Sequence, residues 1–279
     1  MLKRQTTGSV VCPSCGRLVG VNDKECFNCG RPNPGMWGYA SLLRRLGQDL
    51  GFVQMVIWGC SGLYIAMLII DPAGIRMGGL FSLLSPSASS LFLFGASGAF
   101  PVFQLGRWWT VLSAAWLHGG LLHILFNMMW VRQLAPATAS EYGIGRMVII
   151  YTVSSISGFF LSSWAGAFLW FLPWPLRGAS LTIGASAPIF GLLGALVYAG
   201  KRGSSAVGRQ AWGLALLLFV FGFMMRGVDN WAHLGGFAGG YLMAQWLDPM
   251  QPERTDHLII ALLCIGLTIL SILVSLLTA

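Results

Sequence analysis

Charge is what this sequence has least of. Of its 279 residues only 9% are Asp, Glu, Lys or Arg, against 56% hydrophobic. A soluble globular domain carries about a quarter charged residues, so that class is excluded and most of the chain is expected in lipid. No H-E-x-x-H occurs, which disfavours a metalloprotease. The opening "MLKRQTTGSVVCPSC" has basic residues but no apolar stretch behind them, so no secretory signal is expected there. The net charge of +8 gathers into no basic patch. Lys and Arg lie scattered at segment ends, a pattern that reads as membrane topology and not as nucleic-acid binding.

Cysteine is also sparse, with six in the chain, and four of them fall in "CPSCGRLVGVNDKECFNCGRPNPG". Cys12, Cys15, Cys26 and Cys29 form two Cys-x-x-Cys knuckles, each followed by glycine, a spacing that sets four thiolates tetrahedrally around zinc. The alternative, two disulfides, needs an oxidising compartment. Residues 1–35 are too few to hold a core, so a structural Zn2+ would supply the folding energy. The module resembles a zinc ribbon. A partner protein, regulation of the rest of the chain, or support of the N-terminus are its open roles. Cys60 and Cys264 stand alone in apolar runs and read as small hydrophobes.

After a linker over 36–51, which carries Arg44 and Arg45, seven apolar spans follow: 52–70, 110–131, 147–172, 183–200, 210–225, 230–247 and 258–279. About 20 such residues cross a hydrocarbon core of ~30 Å. Segment 71–109 is semi-apolar but broken by Gly, Pro and Ser and ends in paired tryptophans, so it is expected at the interface or lying on protein. With the N-terminus cytoplasmic, inside segments hold Arg31, Arg44, Arg45, Arg132, Arg146, Lys201, Arg202, Arg209 and Arg254, and outside segments Arg76, Arg107, Arg177 and Arg226. The positive-inside rule therefore predicts N-in and C-out. This orientation puts the cysteines in a reducing compartment, in favour of zinc.

Ionisable and polar groups inside spans are expensive and mark function. His123 and Asn127 are four apart, on one helix face and about 6 Å apart along the axis, with His118 toward the outer end of the same expected helix. Ser186 follows Gly184-Ala185 and precedes Pro188, two residues on, which puts it at a helix N-terminus beside unpaired N–H groups. A hydroxyl there suits a nucleophile with an oxyanion site, although an N-cap serine has the same signature. In "NWAHLGGFAGGYLMAQWL", His233 is followed by Gly235, Gly236, Gly239 and Gly240, whose small-xxx-small faces let helix backbones approach. Gly191 and Gly194 smooth the serine helix in the same way. Close packing would bring His233 to Ser186 as its base.

Together H-x4-H-x3-N, G-x-S and A-H-x-x-G-x-x-x-G, in this order on these spans, resemble the rhomboid intramembrane serine proteases over roughly residues 50–247. The resemblance implies an all-α polytopic membrane protein with a six-helix core over 52–247, here preceded by a cytoplasmic zinc ribbon and followed by a seventh helix within 248–279. It implies Ser186 as nucleophile, His233 as general base, and His123 and Asn127 with the Ser186 N–H as oxyanion hole. His118, Phe190, Gly184, Gly236 and Gly240 would support the site, and Glu141 matches an acidic bond partner near the start of the third helix. The implied substrates are transmembrane proteins, cut near the outer face where helix-weakening Gly or Pro exposes a peptide bond. The expected location is a bacterial plasma (inner) membrane.

Three departures accompany the likeness. Thr110 stands where a Trp-Arg motif usually has arginine, Ala187 where a second glycine follows the serine, and Phe190 where tyrosine is common. Two other functions compete: a catalytically silent rhomboid-like protein that binds membrane clients, and a haem or transport protein using His118, His123 and His233. The silent reading is disfavoured because both Ser186 and His233 are present, the other because it leaves Ser186 unexplained. His257 reads as an interfacial residue.

Overall fold

The computed structural model describes residues 4–13, 15–43, 49, 51–78, 82–173, 176–203, 205–225 and 227–278. Arg44, Arg45 and Arg226, counted above for topology, lie outside them. Two strands, β1 (Ser9–Val11) and β2 (Leu18–Gly20), pair antiparallel with Val10 opposite Val19 and carry the cysteine module. A short helix, α1 (Ala40–Leu43), leads to the first span, α2 (Phe52–Ile70). A second antiparallel pair, β3 (Arg76–Gly78) and β4 (Ser82–Ser85), opens the long first loop, which continues through α3 (Ala88–Leu93) and α4 (Thr110–Ser113). Six long helices follow: α5 (Leu121–Tyr142), α6 (Ile144–Phe168), α7 (Ser186–Arg202), α8 (Ser205–Met224), α9 (Asn230–Trp246) and α10 (Thr255–Leu277).

The chain is thus a mostly helical, polytopic integral membrane protein. By length and apolarity α2, α6, α8 and α10 can each cross a membrane. Their surroundings differ sharply. In α6 67% of the most apolar stretch is buried against protein, against 22% in α8 and in α10. So α6 is a central helix, and its small residues Ser154, Ser155, Gly158, Ser162 and Ser163 are all buried. Helices α7 and α9, at 17 residues each, are shorter.

The expected span 110–131 does not form as one helix. Residues 110–116 and 121–142 are bent by 96° at a break of four residues. Gly119 and Gly120 lie in that break, and a paired glycine has no Cβ to hold the chain helical. His118 therefore sits in the break and not in the helix that carries His123 and Asn127. At its other end α5 runs past Pro136 to Tyr142, eleven residues beyond the expected end. Proline costs one backbone bond but not the helix where packing holds both sides, and Leu134, Ala135, Thr138 and Ala139 are buried there.

The first loop lies on protein rather than in open lipid. Tyr64 donates its hydroxyl to the Leu84 carbonyl at 2.5 Å and Ser85 to the Gly119 carbonyl at 2.6 Å. Further on, Ser97 and Thr182 exchange backbone hydrogen bonds at 3.1 and 2.7 Å, and Ala99 and Phe100 donate to Ala179 and Ser180. These bonds tie the loop to the segment that enters α7.

In lipid, helices gain little from hiding apolar surface from one another, so close association depends on van der Waals contact and backbone approach. The glycines of α9 provide it. A methyl on Gly240 would collide with the Gly191 backbone of α7, and one on Gly236 with the Ala187 carbonyl. On the other side, a methyl on Gly235 would come 2.6 Å from the Ser157 carbonyl of α6. Gly240→Ala is therefore expected to cost about 1–3 kcal/mol through overpacking. By contrast, Gly266→Ala on α10, where an added methyl meets nothing within 4 Å, should leave stability level or slightly raised. Thermal unfolding of the two variants in one detergent checks this, and equal midpoints would refute the close approach.

Candidate active site and metal centre

Ser186 is the first residue of α7, preceded by Ala185 in the cap position. The turn into it depends on Gly184, whose φ of +123° is unfavourable for any side chain. A methyl there would also lie 2.7 Å from Nε2 of His123 and 3.8 Å from Oγ of Ser186. The same absence of a side chain leaves a small space bordered by both groups. Above it the first amides of α7 have no carbonyl a turn earlier to bond to.

His233 lies in the first turn of α9. Its Nε2 is 2.9 Å from Ser186 Oγ, and its ring stacks on Phe190 with centroids 4.2 Å apart and planes within 15°. Phe190 is one turn into α7, so a single helix supplies both the hydroxyl and the plate that orients the imidazole. His233 Nδ1 is buried and makes no hydrogen bond among the described residues. Among the described residues, no carboxylate hydrogen-bonds to this imidazole.

The opposite wall comes from α5 and the break before it. Nδ1 of His123 accepts the Gly119 N–H at 3.2 Å. That bond holds the ring in the tautomer with its proton on Nε2, the atom that borders the Gly184 space, so His123 presents a donor there. Asn127 is buried one turn on, its amide donating to the His123 carbonyl at 2.9 Å. His118 is fully buried and meets the His123 ring edge-on, centroids 5.2 Å apart. Ala187 is fully buried in a packed cluster with Val102, Phe159 and Ala232.

Glu141 lies in the last turn of α5, three residues before α6 begins, and Glu253 bonds the Gly145 and Arg146 N–H groups at the start of α6.

Three residues around the site were not singled out from the sequence. Asp229 caps α9 by accepting the Ala232 N–H at 3.1 Å, and its other oxygen accepts the hydroxyls of Thr182, at 2.6 Å, and Ser162. It thereby fastens the start of α9 to the end of α6 and to the segment entering α7. An acidic residue before a helix was the available signal. Arg107 is buried, donates to the Phe92 and Ser275 carbonyls at 3.3 and 3.0 Å, and lies over the Phe92 ring. Trp109 donates to Ser275 Oγ at 3.0 Å and accepts from Ser271. The seventh helix thus holds the first loop at the point where Thr110 departs from the usual arginine.

The four cysteines of the N-terminal module converge. Their sulfurs all lie within 4.8 Å of one another, with Cys12–Cys29 at 3.8 Å and Cys15–Cys26 at 3.6 Å, and all are free thiols. A tetrahedral ion with bonds of ~2.3 Å to sulfur has edges of about 3.8 Å, so the cluster fits a metal ion. The electrostatics agree. Burial raises the Cys15 thiol, but the Arg17 backbone and hydrogen bonds from Cys29, Asn28 and Cys26 outweigh it and bring it down to about 7. Burial pushes Cys29 up, with the neighbouring sulfurs adding to the effect. All four sulfurs could ionise this close together only with a cation among them.

Comparison with known proteins bears on this arrangement. The rhomboid domain model matches residues 105–250, a stretch that contains Ser186, His233, His118, His123 and Asn127. The rhomboid protease GluP of Bacillus subtilis (strain 168) is 32% identical over 190 residues, 66% of this chain and 35% of that protein. RHOMBOID-like protein 7 of Arabidopsis thaliana is 32% identical over 166 residues, 58% of this chain and 50% of its own length. Rhomboid-like protease 5 of Toxoplasma gondii is 32% identical over 165 residues, 57% of this chain and 18% of that protein. The chain spans half or less of each of these three relatives. With more than half of the chain covered by the domain model, the protein belongs to the rhomboid family.

Proposed function

We propose that the protein is an intramembrane serine endopeptidase that cuts transmembrane helices of other proteins, with Ser186 and His233 as its dyad. The observation that carries this reading is the 2.9 Å contact between His233 Nε2 and Ser186 Oγ. As the hydroxyl attacks a peptide carbonyl, His233 Nε2 takes its proton and later delivers it to the leaving amine. The carbonyl oxygen gains charge beside Gly184, where Nε2–H of His123 and the backbone N–H of Ser186 are the donors. Asn127 holds the His123 turn and offers a further amide to the same wall, and His118 backs the His123 ring. Phe190 keeps the His233 ring in plane without a hydroxyl. A substrate helix must unwind to lay a peptide bond across this space, so Gly, Pro and small residues near the cut are expected of it.

The domain division that goes with this reading is a ribbon over 1–35, a linker over 36–51, a catalytic core over 52–247 and a seventh helix within 248–279. The four cysteines would hold a structural zinc ion with no part in catalysis. The distribution of Lys and Arg supports an N-terminus on the cytoplasmic side and a C-terminus outside, in a bacterial inner membrane.

Detergent-solubilised protein should label with a fluorophosphonate probe, and Ser186→Ala and His233→Ala should each abolish labelling while the protein stays folded. Folded wild-type protein that does not label would instead favour a silent client-binding protein. His123→Ala should retain labelling at a reduced rate and lose about 10²- to 10³-fold in cleavage of a model transmembrane substrate, as expected for one oxyanion donor. Asp229→Ala should cost about 1 kcal/mol of stability through the lost cap and lower kcat more than KM, because His233 is displaced and no substrate contact is removed; an unchanged kcat would limit Asp229 to a structural role. Zinc analysis of the full chain should find one ion, lost in a Cys12→Ser, Cys26→Ser double variant.

A further inference from the structure

Arg31 follows Cys29 by two residues, and its backbone belongs to the second cysteine knuckle, where its carbonyl accepts the Cys26 N–H at 2.8 Å. Its side chain leaves the ribbon. Nη1 meets Oε2 of Glu253 at 2.8 Å, and the two side chains are 5% and 2% exposed. Glu253 lies 222 residues away, between α9 and α10. Its other oxygen accepts the N–H groups of Gly145 at 2.6 Å and Arg146 at 3.2 Å, the second and third residues of α6.

A helix begins with unsatisfied N–H groups and a partial positive charge. Glu253 therefore caps α6 from the far side of the sequence. Gly143, at φ +85°, leaves the space, since a Cβ there would lie 2.6 Å from the Glu253 carboxyl carbon. Arg146 completes the junction by donating to the Leu247 and Asp248 carbonyls at 2.9 and 2.8 Å. All of this lies at the end of the bundle opposite Ser186, yet it acts on the helix that backs His233: Ser157 of α6 donates to the Gly235 carbonyl at 2.9 Å.

A carboxylate so buried requires a cation, and only a folded knuckle presents Arg31 to it. Among the described residues the ribbon's buried cluster is Val10, Cys12, Val19, Val21 and Cys26, joined by Ala40 of α1, too little to fold without a cross-link. We propose that the ribbon's docking partner is this chain's own membrane core, and that the metal-loaded ribbon clamps the start of α6 through Arg31 and Glu253. The clamp rests on the metal reading of the four cysteines. Loss of the metal releases Arg31, leaves Glu253 without its ion-pair partner and with only the more distant Arg146 charge of α6 beside it, and loosens the first turn of α6. Metal supply is thereby linked to the rigidity of the helix that positions the histidine.

The test is amide hydrogen exchange on the full chain in detergent, with the zinc content of every sample measured alongside. In the zinc-loaded chain the amides over 143–150 should be protected. Removal of zinc with a chelator should raise their exchange by roughly tenfold or more, and Arg31→Ala should do the same while retaining its zinc. Glu253→Gln, which keeps an oxygen for the amides but not the charge, should give a smaller rise and covers the case in which Arg31→Ala does not fold. Exchange that stays unchanged after measured loss of zinc, or in zinc-bearing Arg31→Ala, overturns the clamp. A wild-type chain that binds no zinc overturns the metal reading and the linkage together, while Arg31→Ala in that chain still reports whether the ribbon docks.

Discussion

The contact between α9 and its two neighbours is set by backbone meeting backbone. Gly235 and Gly239 face Ser157 of α6, and Gly236 and Gly240 face the Ala187 and Gly191 backbone of α7. Any larger residue on either face would push α9 outward. The 2.9 Å reach from His233 to Ser186 would then open, because both side chains are short and start from helices whose separation is already minimal. In lipid no hydrophobic force compensates for such a gap. The glycines after His233 are thus as much a part of the site's geometry as the imidazole.

Around that contact the rest of the molecule acts as restraint. Asp229 joins the start of α9 to Thr182 and Ser162, and so to the segment that delivers Ser186. The first loop pairs with the same segment through Ser97 and is itself held against α10 by Arg107 and Trp109. The His123 wall is fixed independently by the Gly119 N–H, which selects the ring's tautomer.

At the other end of the bundle the polar chemistry is ionic. Glu253, Arg31 and Arg146 knit the ribbon, the start of α6 and the loop after α9 into one junction. An ion pair this buried adds little net stability when complete, but leaves a stranded charge when one side is lost. That asymmetry suits a connection between two modules better than it suits a general stabilising contact.

Much of this could be read from the sequence because it follows local rules. Apolar runs of membrane length, paired Cys-x-x-Cys knuckles and small-xxx-small faces each encode their outcome within a few turns of chain. The bounds of α2 and the start of α9 came out where the apolar pattern put them. The break at His118 did not, since two glycines in an apolar run are compatible with helix or bend until neighbours choose; nor did the continuation of α5 past Pro136, which packing alone sustains. Residues whose role is to meet a distant partner carried the weakest signal. Arg31 and Glu253 look like ordinary surface charges until the fold closes a separation of 222 residues, and Arg107 looks like an outside-loop cation until α10 arrives beside it. Sequence by itself determined the membrane class, the four-cysteine cluster and the candidate pairing of a serine turn with a histidine helix, because spacing along a helix or knuckle is a local property. Only the tertiary structure decided the distances and the ion pairs, because these depend on where separate helices come to rest against one another.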